Sequence, residues 1–255
     1  MRAAGSAFRM QLALAWRTPN YWMTQATTPI QVVLFLSVID AFDRPDLLAY
    51  GLLAPALMTM WSTAVWTGGS VIRNDRFGGV IELHVASPTS YWGIVVARVA
   101  AVVLLSLLVI PVTLVTAWVT YSVTVDVQHP FLLAGVMLMV GAAIVATSTV
   151  LSAFTILSRA AITFQSSASY PILLLGGVFV PLALLPAWVQ PFGRLVFLSW
   201  GSDALRTTIL EPGVSGLGLD VGMIVLLGTL TLVAGYRLVR VILRRVRISG
   251  EIGVA

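Results

Sequence analysis

Long intervals without a charged side chain are the feature that most constrains this sequence. Five of them contain no Asp, Glu, Lys or Arg, and they cover residues 18–39, 47–72, 99–125, 127–158 and 160–193. A helix needs about 20 mostly apolar residues to cross the hydrocarbon core of a bilayer, so each interval is long enough. A sixth interval, 221–236, reaches that length if Asp220 lies in the outer headgroup region. We therefore expect an all-α integral membrane protein with six transmembrane helices.

The arginines predict which side of the membrane each loop occupies. All 15 basic residues are arginine, and cytoplasmic loops of membrane proteins are enriched in basic residues. With a cytoplasmic N-terminus, the inner segments hold Arg2, Arg9, Arg17, Arg73, Arg76, Arg98, Arg159, Arg237, Arg240, Arg244, Arg245 and Arg247, and the outer segments hold Arg44, Arg194 and Arg206. This asymmetry predicts cytoplasmic N- and C-termini. Topology explains the net charge of +5, so we assign no nucleic-acid partner.

The chain is expected to form a single membrane domain over residues 1–255. Charged residues are only 10% of the chain, against about 25% in soluble domains, which is too few to cover a water-exposed surface. The helices are expected near residues 22–40, 48–72, 92–122, 130–157, 161–181 and 219–241. Three segments outside these spans remain: an interface helix at 1–20, an inner loop at 73–90 and an outer segment at 182–218.

The first 20 residues predict an amphipathic helix on the membrane surface. Phe8, Leu12, Ala15 and Trp16 follow an i, i+4, i+7, i+8 pattern that places them on one face. Arg9 faces away from it, as expected for a helix lying in the interface. A simple membrane anchor is the plainer interpretation of this pattern when it is taken alone.

The inner loop is a charged interruption between two hydrophobic runs. Asp75 and Glu82 are seven residues apart and would project from one side of a helix, beside an apolar edge that contains Phe77 and Val80. Such a surface suits a small, partly polar protein–protein contact. In the alternative interpretation the charges merely solvate a turn. The candidate contact residues are Arg73, Asp75, Arg76, Gly79, Glu82, Leu83 and Pro88.

The outer segment is apolar, yet prolines break it and its apolar run is too short to span. Two short helices that enter the outer leaflet and return, a re-entrant hairpin, would fit, provided that they pack against protein. A loop in water is the alternative, but it would expose rings such as Trp188 and Phe192 at about 1.5–3 kcal/mol each. Arg206 can pair with Asp203 or cap carbonyls of a neighbouring helix end. The candidate residues of this outer lid are Pro181, Pro186, Trp188, Asp203 and Arg206.

Residues that the sequence lacks exclude several chemistries. There is no G-x-x-x-x-G-K-[ST] loop and no lysine, so any ATP must be hydrolysed on another polypeptide. Cysteine is absent, and the few polar residues assemble no metal cluster or catalytic triad. No charge lies centrally in a predicted span, which disfavours an ion-coupled transporter. A pathway could be lined by hydroxyls of the fifth helix, although such groups more often mediate helix packing; the candidates are Thr163, Ser166, Ser167 and Ser169.

Two motifs and the N-terminal helix together point to a known family. The inner loop reads Gly79-Val80-Ile81-Glu82-Leu83 and then Ala86-Ser87-Pro88. The outer segment reads GGVFVPLALLPAW and then SWGSDALR. The chain thus resembles the type-2 ABC exporter permeases, six-span subunits that pair with a separate ATPase. That family has a G-T-L-E-L…S-P coupling segment, in which Val80 here replaces the usual Thr, and an outer pattern of a Gly-rich helix end, paired prolines, Trp and D-A-L-R.

The resemblance implies a location in a bacterial inner membrane, a function and partners. The inner loop would be a coupling helix that docks into the ATPase, and the N-terminal helix would lie against the same subunit. A second permease copy or a paralogue would complete the pathway, ATP and Mg would bind to the ATPase, and this chain would bind no cofactor. A pathway without charges suits a drug, an antibiotic or a lipid-like cargo; a polysaccharide or lipid-linked glycan is the alternative. A membrane enzyme or scaffold without transport is the hypothesis from a different class.

The predicted topology can be tested by labelling single cysteines, since the chain has none. A cysteine at Ser87 or Ser249 should be shielded from an impermeant thiol reagent in intact cells, because both positions are expected to be cytoplasmic. A cysteine at Asp43 or Ser215 should react. Labelling of the first pair from outside would overturn the placement of the inner loop and of the C-terminus.

Overall fold

The computed structural model describes residues 2–44, 47–68, 70–71, 74–75, 78–79, 91–122, 128–157, 161–210, 213 and 215–249. Its regular secondary structure in these residues is helical, and none of them lies in a strand. The α-helices are α1 Arg2–Arg17, α2 Pro19–Ala41, α3 Leu48–Thr63, α4 Tyr91–Ser106, α5 Val109–Tyr121, α6 Pro130–Leu157, α7 Ala161–Leu175, α8 Gln190–Arg194, α9 Phe197–Leu210 and α10 Leu217–Ser249. A π-helical turn, Ala64–Gly68, follows α3, and a short 3₁₀ helix, Leu182–Leu184, precedes α8.

Five helices in the described residues are long and apolar enough to cross a membrane. They are Tyr21–Ala41, Leu48–Trp66, Tyr91–Tyr121, Pro130–Ala153 and Leu217–Val241. The prediction of an all-helical, multi-pass membrane protein is therefore confirmed. The prediction of six spans is not confirmed, because α7 has only 15 residues. Its length of about 22 Å is less than the roughly 30 Å of the hydrocarbon core.

A pair of glycines ends α7 six residues before the predicted end of the fifth helix. Gly177 has a φ of 62°, a left-handed conformation that glycine adopts without steric cost. Its neighbour Gly176 allows close packing, because a Cβ there would lie 2.9 Å from the carbonyl oxygen of Ile172 and 2.9 Å from the Cβ of Leu198. The chain therefore leaves the helical path at this point and brings α9 against the end of α7.

Two other predicted helices contain an interruption. The predicted helix 92–122 is divided into α4 and α5 by a turn at residues 107–108, and the Tyr21 hydroxyl donates a hydrogen bond of 2.8 Å to the carbonyl of Leu105 beside it. The predicted helix 48–72 changes into the π-helical turn after Thr63, and the Ser148 hydroxyl donates to the carbonyl of Ala64. Side chains from other helices thus bind carbonyls beside both interruptions.

The main core lies where α3, α4, α6 and α9 meet. Its largest fully buried side chains include Trp61 and Leu57 of α3, Ile144 of α6, and Leu198 and Leu205 of α9. α6 is central, because it packs against α10 as well as against α4 and α9. The outward face of α10 remains apolar, as expected for a helix whose surroundings are hydrocarbon; its exposed residues include Leu226, Leu230 and Val233.

The close contact at Gly176 predicts a stability effect. Gly176→Ala should lower the free energy of unfolding in detergent by about 1–3 kcal/mol, because neither the Ile172 carbonyl nor the Leu198 Cβ can move away without shifting backbone. Thermal unfolding followed by far-UV circular dichroism measures the change.

Gly222→Ala in α10 is the matched control. A Cβ at Gly222 would meet no atom within 4 Å, and alanine is the better helix former, so this variant should melt at or above the wild-type temperature. Equal melting temperatures for the wild type and Gly176→Ala would contradict the packing described here.

Candidate functional site

Four side chains from three parts of the chain form a buried polar cluster, which we call the Arg98 cluster. It consists of Gln11 on α1, Asp75 between the π-helical turn and α4, and Tyr91 and Arg98 on α4. The Arg98 Nη1 lies 2.6 Å from the Asp75 Oδ1, and the Arg98 Nε donates to the Gln11 Oε1 at 2.9 Å. The Tyr91 hydroxyl donates to the Asp75 Oδ2 at 3.2 Å. Both carboxylate oxygens of Asp75 are therefore bound.

The charges of this cluster are well shielded from solvent. The Arg98 side chain is 11% exposed and the Asp75 side chain is 7% exposed. An isolated charge in such a place is costly, but a paired and hydrogen-bonded one is tolerated, and loss of one partner of a buried pair costs about 3–5 kcal/mol. The cluster thus attaches two elements to α4: the start of the inner loop and the N-terminal helix.

The placement of Asp75 differs from the sequence-based expectation. Asp75 was expected to face an ATPase together with Glu82, whereas its carboxylate points inward and binds Arg98, because an arginine at this depth requires an anionic partner. Gly79 is exposed and has a φ of 64°, which suits a turn. The other candidates of the inner loop lie outside the described residues: Arg73, Arg76, Glu82, Leu83 and Pro88.

Sequence reasoning missed Gln11, Tyr91 and Arg98 as partners of Asp75. One signal was available, because Tyr91 and Arg98 are seven residues apart and therefore share a helix face at the start of a hydrophobic run. An arginine in that position requires a carboxylate partner. The two acidic residues in the loop that precedes the run are Asp75 and Glu82.

The N-terminal helix exists, but its buried face is rotated from the predicted one. Ala15 is buried as expected, and Ala7 and Gln11 are buried with it against α4. Phe8 and Leu12 are half-buried, Arg9 is exposed, and Trp16 is 52% exposed, with its ring packed edge-on against Trp22. The physical reason is that small alanines allow close helix approach, while Gln11 reaches its partner Arg98 only from this face.

The outer segment is held by a second buried arginine, Arg206 of α9. Its Nη1 donates to the Asp203 Oδ1 at 2.8 Å, and its Nη2 donates to the carbonyl of Gly177 at the end of α7. The guanidinium also lies 3.7 Å from the ring centroid of Tyr50 on α3. Burial lowers the pKa of the Arg206 guanidinium, and the Asp203 carboxylate opposes that shift. The two roles considered for Arg206, pairing and capping, are combined in one side chain.

The other large rings and the prolines of the outer segment are only partly packed. Phe197 is buried, and Trp200 donates from its ring nitrogen to the carbonyl of Arg194 at 2.9 Å. Trp188 and Phe192, however, are 75% and 57% exposed, so the expectation that all the large rings are buried is wrong for these two. Pro181 is half-buried before the 3₁₀ helix. Pro186 is exposed, and its carbonyl accepts a hydrogen bond from the backbone N–H of Val189.

The hydroxyl residues divide into two groups. On α6, Ser148, Thr149 and Ser152 are fully buried and donate to backbone carbonyls, which indicates helix packing. On α7, Ser167 is exposed and Ser169 is half-buried. The other two pathway candidates, Thr163 and Ser166, lie on α7 with side chains outside those that the structure describes.

A family model covers almost all of these features. The model of the ABC-2 type transporter matches residues 4–210, from α1 to the end of α9. The chain belongs to the ABC-2 type transporter family. This ABC-2 chain is accordingly a transmembrane permease of an ABC transporter, a family whose permeases work with an ATPase. No curated protein sequence matches it.

The Arg206 contacts of this ABC-2 permease predict its pattern of hydrogen exchange. In a lipid-embedded sample, amides of residues 197–210 should exchange slowly, and Arg206→Ala should accelerate exchange there and at residues 176–180, because the link between α7 and α9 is lost. Mass spectrometry of peptic fragments gives the rates.

Arg194→Ala is the control. Its side chain is 44% exposed, so its pair with Asp203 is worth under about 1 kcal/mol and its loss should change the exchange little. Fast, uniform exchange across residues 186–210 in the wild type would identify a loose loop, and the lid would have to be abandoned.

Proposed function

We propose that this chain is the permease subunit of an ATP-driven exporter, in which two permease chains form the pathway and a separate ATPase supplies the energy. The observation that carries the proposal is the match of the ABC-2 transporter family over residues 4–210. The second permease is another copy or a paralogue. ATP and Mg bind to the ATPase, since this sequence has no lysine for a phosphate-binding loop.

The closed base of the inner loop supports its role as the contact with the ATPase. The Tyr91 hydroxyl binds Asp75, so the chain on either side of residues 76–90 meets at one point. Glu82, Leu83 and Pro88 lie between these two residues in the sequence and are proposed to enter the ATPase.

Topology supports six crossings, with α7 and residues 176–181 as the fifth. Five crossings would place the two ends of the chain on opposite sides of the membrane. The arginine-rich end of α10 and the N-terminal arginines would then be separated, against the tendency of basic residues to remain in the cytoplasm. With six crossings both ends are cytoplasmic, and the 3₁₀ helix, α8 and α9 form the re-entrant outer lid.

The cargo is proposed to be amphipathic: a drug, an antibiotic or a lipid-like molecule. No charged residue lies in the central part of the five candidate spans, and Arg98 near the inner end of its span is paired with Asp75. Charged cargo would lack partners there. A polysaccharide or lipid-linked glycan is the second candidate, because the hydroxyls of α7 could bind sugars; Ser167 is exposed on that helix. A membrane enzyme or scaffold is ruled out if an ATPase co-purifies with the chain.

A single substitution in the inner loop tests the coupling role. Glu82→Ala should reach the membrane in normal amounts but uncouple the transporter, because the loop loses its charged contact with the ATPase. ATP hydrolysis with and without cargo, measured alongside membrane abundance and transport, shows the loss of stimulation.

Asp43→Ala serves as the charge-matched control, since Asp43 is exposed in a predicted outer loop, and it should behave as the wild type. Wild-type stimulation and transport in Glu82→Ala would remove the reason for assigning this residue to the contact.

A further inference from the structure

We propose that Arg98 is the positioning residue that joins the inner loop and the N-terminal helix to α4, so that all three move together when the ATPase moves the loop. This inference rests on the proposed function. It adds Arg98 and Gln11 as residues through which the coupling loop acts, although neither belongs to the loop.

The geometry assigns this role to one guanidinium group. Its Nη1 binds Asp75, 23 residues away in sequence, and its Nε binds Gln11, 87 residues away. Because the guanidinium is planar and rigid, binding on two sides fixes both partners relative to each other as well as to α4. A lysine ammonium has three rotatable donors but no rigid fork, so it would not hold the two partners in one fixed geometry.

The two links differ in strength. The link to Asp75 joins opposite charges that are both shielded from solvent, and separating them would leave two uncompensated charges. The link to Gln11 joins a charge to a neutral amide, which is a weaker interaction. The base of the loop therefore stays with α4, whereas the orientation of the N-terminal helix on α4 depends on the weaker Gln11 link.

Stability alone does not account for this arrangement. α1 is already packed on α4 through Ala7 and Ala15, and the start of α2 is tied to α4 by the Tyr21 hydroxyl. Well-packed apolar residues of similar volume often replace a buried ion pair at no loss of stability. What the pair provides is a fixed geometry where the loop begins.

Functional coupling in the assembled transporter tests the proposal. The permease is reconstituted with its ATPase in vesicles that contain a fluorescent short-chain phospholipid, and phospholipid moved per ATP hydrolysed is measured. Arg98→Lys and Gln11→Leu should each lower this ratio about 2- to 30-fold with normal membrane abundance, the range found for residues within coupling networks. The double variant should lose no more than Arg98→Lys alone, because the link that Gln11→Leu removes is one that Arg98→Lys has already weakened.

A distance measurement gives a readout that a purely structural role would not change. Spin labels on cysteines at Met10 of α1 and at Asn74, both exposed, report the separation of the N-terminal helix from the base of the loop. In the wild type this distance should be the same with and without trapped ATP. In Gln11→Leu it should change when ATP is trapped, because the two elements no longer move together.

The outcomes separate this inference from the proposed function. An unchanged transport ratio and an unchanged distance in Gln11→Leu overturn the role of Arg98, while transport by the wild type still upholds the exporter. A chain that binds no ATPase overturns both. Gln11→Leu removes no charge, so it carries the test even if Arg98 variants fail to insert. Arg237→Gln, which removes an exposed arginine of α10, is the control and should match the wild type.

Discussion

A peptide group in hydrocarbon has no water to bind, so a carbonyl that loses its regular helical partner at an interruption must find another donor within the protein. In this permease, side chains of other helices donate to carbonyls at three such places, at Leu105 in addition to the backbone N–H of Leu108. They connect helices that are distant in sequence, so the interruptions are also the points where the bundle is tied together. The donor and carbonyl pairs are Ser148 and Ala64, Tyr21 and Leu105, and Arg206 and Gly177.

The two buried arginines, one near each end of α3, also connect separate parts of the chain. Arg98 and Arg206 each bind one carboxylate and one neutral oxygen, and each lies where a non-spanning segment joins the spans. A buried arginine has more donors than one carboxylate can accept, so it also binds a second partner. That second partner, Gln11 at one end and the Gly177 carbonyl at the other, is what turns an ion pair into a link between three elements.

Sequence reasoning predicted the features that the bilayer determines, and it missed the features that tertiary contacts determine. The span 130–157 was predicted as the structure has it, because length and lack of charge suffice. The end of α7 was missed because apolar residues continue past Gly177, and the Arg98 cluster because its partners are far apart in sequence. Trp188 and Phe192 were expected to be buried because of the energy of exposing them to water, but the contacts of the outer segment leave both rings exposed.

The position of α3 has a mechanical consequence. Tyr50, under the Arg206 guanidinium, lies near the start of this helix, and its other end leads through the π-helical turn towards Asp75. An α-helix is stiff along its axis, so an axial shift of α3 displaces the outer segment and the base of the inner loop together. Bending separates the two, and the regular hydrogen-bond pattern changes at two places along this rod: at Pro55 inside α3 and at the π-helical turn Ala64–Gly68 that follows it.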